Sequence, residues 1–166
     1  MKITKDLNTL TKNEFITIFG SIFEKSEWIA NDTFKLKPFK NSKDLVDKMI
    51  NIYDSCSVDK ILKILNLHPK LAIEKKLSSF SSKEQTGAKL DKCSQEELIE
   101  FDKLNFDYEK KFQFPFIIAV KGKNKNQILE NFRIRIKNNY DEEFKKAKKQ
   151  VMKIALFRLN EILEIY

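Results

Sequence analysis

The chain reads as all-α, a helical bundle of about eight to nine helices forming a single domain over residues 1–166. Three observations predict this class. Only 3 glycines and 3 prolines occur in 166 residues, which favours helices joined by short polar loops over a turn-rich β architecture. Apolar residues recur at spacings of three and four along most of the chain, the period of a helix with one buried face. The β-branched apolar run Phe114-Pro115-Phe116-Ile117-Ile118-Ala119-Val120 has no second strand to pair with, and is expected as a buried extended segment or a short helix.

The elements follow in order. Thr11 and Glu14 have capping-box spacing and open a helix with Phe15, Ile18, Phe19, Ile22 and Phe23 on one face; Gly20 in its middle allows another helix to approach closely. Trp28 is expected to pack under a loop. Beyond a polar loop at Pro38, Ser42 can cap a helix with Leu45, Val46, Met49, Ile50 and Tyr53 inward, and Ser57 can cap another with Ile61, Leu62 and Leu65 inward. Ser94 and Glu97 form a further capping box, ahead of a long helix with Leu98, Phe101, Leu104, Tyr108 and Phe112 inward. Gly122 closes the apolar run and residues 121–126 form a surface loop. Two last helices carry Ile128, Leu129, Phe132 and Ile136, then Phe144, Ala147, Val151, Ile154 and Ala155 from about Asp141 to the C-terminus.

Composition narrows the function classes. At 42% hydrophobic and 34% charged, with 14 Phe for the core, the chain has the balance of a globular domain rather than a disordered one. The net charge of +8 raises the question of nucleic acid. Lysines are interspersed with acids, as in Glu142-Glu143-Phe144-Lys145-Lys146, so a solvated basic surface that attracts a small anion is favoured over a nucleic-acid face. Two cysteines and one histidine make no set of soft metal ligands. No apolar run is long enough to span a bilayer. Met1 to Asp6 contain no apolar signal core, Glu164-Ile165-Tyr166 is no peroxisomal tripeptide, and a reducing cytoplasm is expected.

The single histidine, His68, lies in Leu67-His68-Pro69-Lys70-Leu71-Ala72. It is the side chain whose ordinary pKa is nearest neutrality, and Pro69 holds it at a helix boundary where an imidazole can face a cleft. A capping or surface role is the plainer alternative. Ser81-Ser82-Lys83-Glu84-Gln85 has the S-x-x-E spacing of a capping box, and a helix N-terminus is also a place to bind a ligand's oxygens. Arg158 falls four residues after Ile154 and seven after Val151, on the apolar stripe. It either snorkels, pairs internally with a Glu, or reaches into a cavity and grips a carboxylate.

Taken in order, these motifs resemble one family, 2-oxo-4-hydroxy-4-carboxy-5-ureidoimidazoline (OHCU) decarboxylase, which completes the route from uric acid to allantoin. The resemblance runs from Phe19-Gly20, Glu24, Ser26 and Trp28 through the His68 and Ser81 motifs. It continues with Leu104-Asn105, Tyr108, Lys111-Phe112 and Phe114 to Val120, then Arg133, Asn138, Glu143, Ala147, Ile154 and Arg158-Leu159. Glu27 stands where the family usually has proline, and Gln113 where it usually has glycine. The resemblance implies an all-helical homodimer with no metal and no organic cofactor. By resemblance His68 is the catalytic acid or base; the substrate contacts are Pro69, Ser81, Ser82, Lys83, Glu84, Gln85, Phe116, Ile117, Ile118, Ala119, Val120 and Arg158. Glu84 is expected to share the catalytic work by orienting His68 or holding the substrate's hydroxyl. A carboxy-lyase of this kind acts on a small ureidoimidazoline, with neither nucleic acid nor membrane as partner. The alternative is a basic helical interaction module that binds nucleic acid or a protein partner without catalysis.

Overall fold

Tyr53 and Tyr108 are both wholly buried and fall in different parts of the fold, Tyr108 at the centre of a cluster of rings. The computed structural model describes residues 6–72 and 78–163. Among these are eight α-helices: α1 Lys12–Phe19, α2 Trp28–Phe34, α3 Ser42–Asp54, α4 Val58–Asn66, α5 Ser79–Gly87, α6 Gln95–Phe112, α7 Lys125–Arg135 and α8 Tyr140–Leu163. A 3-10 turn covers Leu90–Lys92, and no strand occurs among the described residues. The all-α expectation holds. Met1 to Lys5 and the tripeptide Glu164-Ile165-Tyr166, which ends the expected C-terminal helix, lie outside the described residues.

Contacts gather into two compact units, residues 1–64 with 152–166 and residues 65–151. In the first, α1 and α3 both pack against α2. Phe15 meets Phe19, Phe34 and Phe39, and Phe23 stacks on Tyr53 with ring centroids 4.9 Å apart. In the second, the Tyr108 ring meets Phe112, Phe114, Phe116 and Phe132. Burying each such ring contributes about 1.5–3 kcal/mol.

Local signals place most helix starts. The capping boxes of Thr11 with Glu14 and of Ser94 with Glu97 are both formed. Asn124 and Gln127 form another, so α7 begins earlier than a loop ending at Asn126 would allow. Asn41, not Ser42, caps α3, its side chain accepting the Asp44 N–H at 2.9 Å. Helix α1 ends at Phe19 instead of running on to Phe23, although Ile22 and Phe23 remain buried. The close approach at Gly20 is therefore not to another helix's face. A Cβ there would lie 2.5 Å from the Ile16 carbonyl oxygen and 3.1 Å from Glu27 Cγ.

Trp28 opens α2 rather than lying under a loop, half-buried with the Lys60 ammonium 5.2 Å from its ring centre. On α6 the inward set is Phe101, Asn105, Tyr108 and Phe112. Leu98 is turned out, and so are Ile99 and Phe106.

Gln113 ends α6 with φ 61°, in the left-handed region that disfavours a side chain by roughly 1–2 kcal/mol. Glycine carries no such strain there. Gln113→Gly is expected to leave α6 intact and to raise stability by up to about 1 kcal/mol, the relief of strain exceeding the added entropy of the unfolded chain. Urea unfolding measures it, and a loss of stability would refute the strain.

Candidate functional site

His68 follows the last turn of α4. Its N–H still donates to the Leu65 carbonyl at 3.1 Å, but Pro69 has no N–H to carry the helix further. The histidine is only 9% exposed, so the proline boundary leaves the imidazole buried rather than at the surface.

The three residues after Pro69 are pinned by side chains from α5 and α6. Gln85 Nε2 donates to the Lys70 carbonyl at 3.2 Å, and Gln85 Oε1 accepts the Ala72 N–H at 3.1 Å. Asn105 Nδ2 donates to the Leu71 carbonyl at 3.0 Å. Lys70 is paired with Glu109 at 2.6 Å. Ala72 has φ 54°, a conformation that persists only where the surroundings over-determine it. These bonds supply that determination.

Helix α5 carries the five residues from Ser81 to Gln85, with a different start from the one predicted. Ser78 is the cap, with extended backbone and its hydroxyl accepting the Ser81 N–H at 3.2 Å. The Ser81–Glu84 box is therefore not the helix start. Ser78, Ser79, Ser81 and Ser82 offer rival caps, and the chain uses the first of them. Helical spacing then puts Ser81 and Gln85 on the inner face, both buried, while Ser82 and Lys83 are exposed and Glu84 is half-buried.

The run from Phe114 to Val120 is a buried segment without regular secondary structure, the extended alternative of the two predicted. Its main-chain polar groups meet side chains. Arg135 Nη1 donates to the Ile117 carbonyl at 2.7 Å, and the Ala119 N–H donates to Gln150 Oε1 at 2.9 Å. The Arg135 guanidinium also lies 4.4 Å from the centre of the Phe116 ring, which stacks on Phe132 at 3.9 Å.

Beneath the segment sits a buried polar network that the sequence reading did not include in the site. Glu143, wholly buried, accepts from Arg135 Nε at 2.9 Å, from Arg135 Nη2 at 2.5 Å, from Asn138 Nδ2 at 2.6 Å and from the Tyr108 hydroxyl. Burial, with the hydrogen bond to Glu143 next, holds the Tyr108 phenol well above its ordinary range. A signal for Arg135 was present. It stands three residues after Phe132 and seven after Ile128, the same stripe argument that singled out Arg158. Glu143, four before Ala147, is the acid on the matching stripe of α8.

Arg158 belongs to the other unit and is 2% exposed. Its Nη1 donates to the Ser21 and Ile22 carbonyls at 3.3 and 3.2 Å and lies 3.5 Å from the buried Glu24 carboxylate. The internal pair with a Glu is thus present. An open cavity of about 290 Å³ in this unit is lined by Trp28, Asp32, Cys56 and Lys60 among others, and contains no predicted site residue. Among the described residues no group of three or more His, Cys, Asp or Glu side chains could hold a metal ion, and no helix is long and apolar enough to cross a membrane.

Comparison with known proteins gives these residues a context. The family model for OHCU decarboxylase matches residues 8–160. The chain is 39% identical over 158 residues to the uric acid degradation bifunctional protein PucL of Bacillus subtilis, covering 95% of this chain and 32% of that protein. The chain therefore spans about a third of the length of such bifunctional relatives. It is 34% identical over 158 residues to the 2-oxo-4-hydroxy-4-carboxy-5-ureidoimidazoline decarboxylase of Halalkalicoccus jeotgali, covering 95% of this chain and 90% of that one. Among solved structures, a crystal structure of (S)-allantoin synthase superposes with a TM-score of 0.79 at 28% identity, over 98% of this chain and 54% of that one.

Proposed function

The chain belongs to the OHCU decarboxylase family, and from that premise we propose that it decarboxylates 2-oxo-4-hydroxy-4-carboxy-5-ureidoimidazoline to (S)-allantoin in uric acid degradation. The observation that carries this proposal is the anchored histidine. In a chain matched by the family over residues 8–160, its single imidazole is buried at a helix end, and the backbone beyond it is held by Gln85, Asn105 and the Lys70–Glu109 pair.

The chemistry suits such a site. The bond from carbon to the carboxylate breaks, carbon dioxide leaves, and the electron pair moves into the substrate's own conjugated C=N and C=O groups. A proton then adds on one face to the neighbouring, ureido-bearing carbon, while the carbon that lost carbon dioxide gives up its hydroxyl proton and becomes the ring carbonyl. Orientation, charge stabilisation and delivery of one proton are what the protein supplies. His68 is proposed as the acid–base group, with the half-buried Glu84 orienting it or holding the substrate's hydroxyl. Gln85, Ser81 and the backbone of Ile117 to Val120 are proposed to take the ring and ureido amides, with Pro69, Ser82, Lys83 and Phe116 as further contacts. Arg158 is proposed to hold an anionic or carbonyl oxygen of the substrate. The excess of lysine raises the local concentration of an anionic substrate.

A homodimer in a reducing cytoplasm belongs to the same proposal. The pairing rests on the family resemblance, and Cys56 and Cys93, neither of them in a disulfide, suit that compartment. Sedimentation equilibrium reads the oligomeric state.

The activity is tested by adding the protein to uricase and hydroxyisourate hydrolase acting on urate, with circular dichroism following optical activity. Accelerated formation of (S)-allantoin is expected. Slow racemic product, unchanged by the protein, would overturn the proposed activity, and steeply salt-dependent binding to RNA or DNA would then favour the basic interaction module.

A further inference from the structure

We propose that Asn105 is a positioning residue for His68, acting through the Leu71 carbonyl. The inference rests on the assignment of His68 as the acid–base group and extends it to a residue on a different helix.

Three main-chain atoms in succession, Lys70 O, Leu71 O and the Ala72 N–H, each meet a carboxamide. Gln85 takes the two outer atoms, much as a neighbouring strand would. Asn105 takes the one between them and so fixes the plane of the Leu71–Ala72 peptide. Between that plane and the imidazole, Gln85 holds the Lys70 carbonyl at 3.2 Å and the Pro69 ring locks its own φ.

Asn105 is 2% exposed and shares the inner face of α6 with Phe101, Tyr108 and Phe112. Its Oδ1 is the one buried side-chain nitrogen or oxygen among the described residues with no hydrogen-bond partner. Turning the amide over would not help, because Oδ1 would then face the Leu71 carbonyl, acceptor against acceptor. A leucine has the same number of side-chain heavy atoms in the same branched pattern and no stranded oxygen, so filling the space gives no reason for an asparagine here. The reason lies in the donor that Nδ2 presents to Leu71. The cost of the stranded acceptor is carried by the fold in exchange for a fixed backbone beside the imidazole. Displacements of about 1 Å at a reacting group cost on the order of a hundredfold in rate.

Because the chain has one histidine, protein labelled with carbon-13 histidine gives a single imidazole Hε1 signal. The experiment compares wild type, Asn105→Leu, Asn105→Ala and, as a control on the exposed side of α6, Asp102→Asn. Cooperative melting confirms that each is folded. In Asn105→Leu and Asn105→Ala the imidazole signal is expected to shift, broaden or split, and kcat to fall about ten- to a hundredfold with KM within about threefold; Asp102→Asn changes neither. If Asn105→Leu does not fold, Asn105→Ala, which removes the donor without adding bulk, decides alone. An imidazole signal and a kcat unchanged from wild type in the folded variant would overturn the proposal. Should wild type itself make no (S)-allantoin, the proposed function falls; a displaced signal in Asn105→Leu would still support the anchoring, and an unmoved one would overturn it.

Discussion

Replacing His68 with alanine or asparagine is expected to lower the rate of (S)-allantoin formation by roughly a hundredfold to ten-thousandfold, the range for loss of one general acid–base group. The chain holds no second histidine to take over the proton, and the side chains that pin residues 70–72 are untouched by the change. The main-chain bond from the His68 N–H to the Leu65 carbonyl survives in either variant. The fold is therefore expected to persist, with a melting temperature close to that of wild type, while stereospecific turnover disappears. Circular dichroism measures both in one instrument: helicity on heating, and optical activity of the product with time. A folded His68→Ala enzyme with near-normal rates would remove His68 from the mechanism.

The largest effect on stability is expected from Glu143→Ala. Glu143 is wholly buried and Arg135 is 6% exposed, and the carboxylate receives the guanidinium, the Asn138 amide and the Tyr108 hydroxyl. Removing it leaves a buried cation and two donors without their acceptor. Breaking such a pair from one side costs about 3–5 kcal/mol, chiefly because the remaining charge is uncompensated. For a chain of this size that lowers the melting temperature by roughly 6–20 °C, at about 2–4 °C per kcal/mol. The double variant Arg135→Met with Glu143→Leu separates charge from packing, since exchanging both partners for apolar residues of similar volume is often close to neutral. Thermal and urea unfolding of the single and double variants measure the difference. A loss below about 1 kcal/mol in Glu143→Ala would show that the pair is not an uncompensated charge once broken.

The same network shows where sequence reading stops. The starts of α1 and α6 were legible because the Thr11–Glu14 and Ser94–Glu97 boxes satisfy backbone donors within one turn. The buried run from Phe114 to Val120 was legible from its lack of polar residues and of a partner strand. Helix α2 was not legible: its cap residue Glu27 has helical backbone and makes no side-chain capping bond, so no local sign announces Trp28 as a helix start. The start of α5 was misplaced by three residues, from Ser81 to Ser78, because several serines there can cap equally well. Apolar periodicity turned Leu98 inward on α6, where the structure buries Asn105 and exposes Leu98.

The sequence by itself determined the helical class, the starts of α1 and α6 and the buried run from Phe114 to Val120, since caps and period are properties of residues within a turn or two. Tertiary structure alone decided which partners the inward polar side chains meet. Gln85 reaches back 13 and 15 residues, Asn105 reaches 34, and Tyr108 finds Glu143 35 residues away. A polar group is buried only where a specific partner offsets its lost hydration, and partners so distant in the chain are brought together only by the folded backbone.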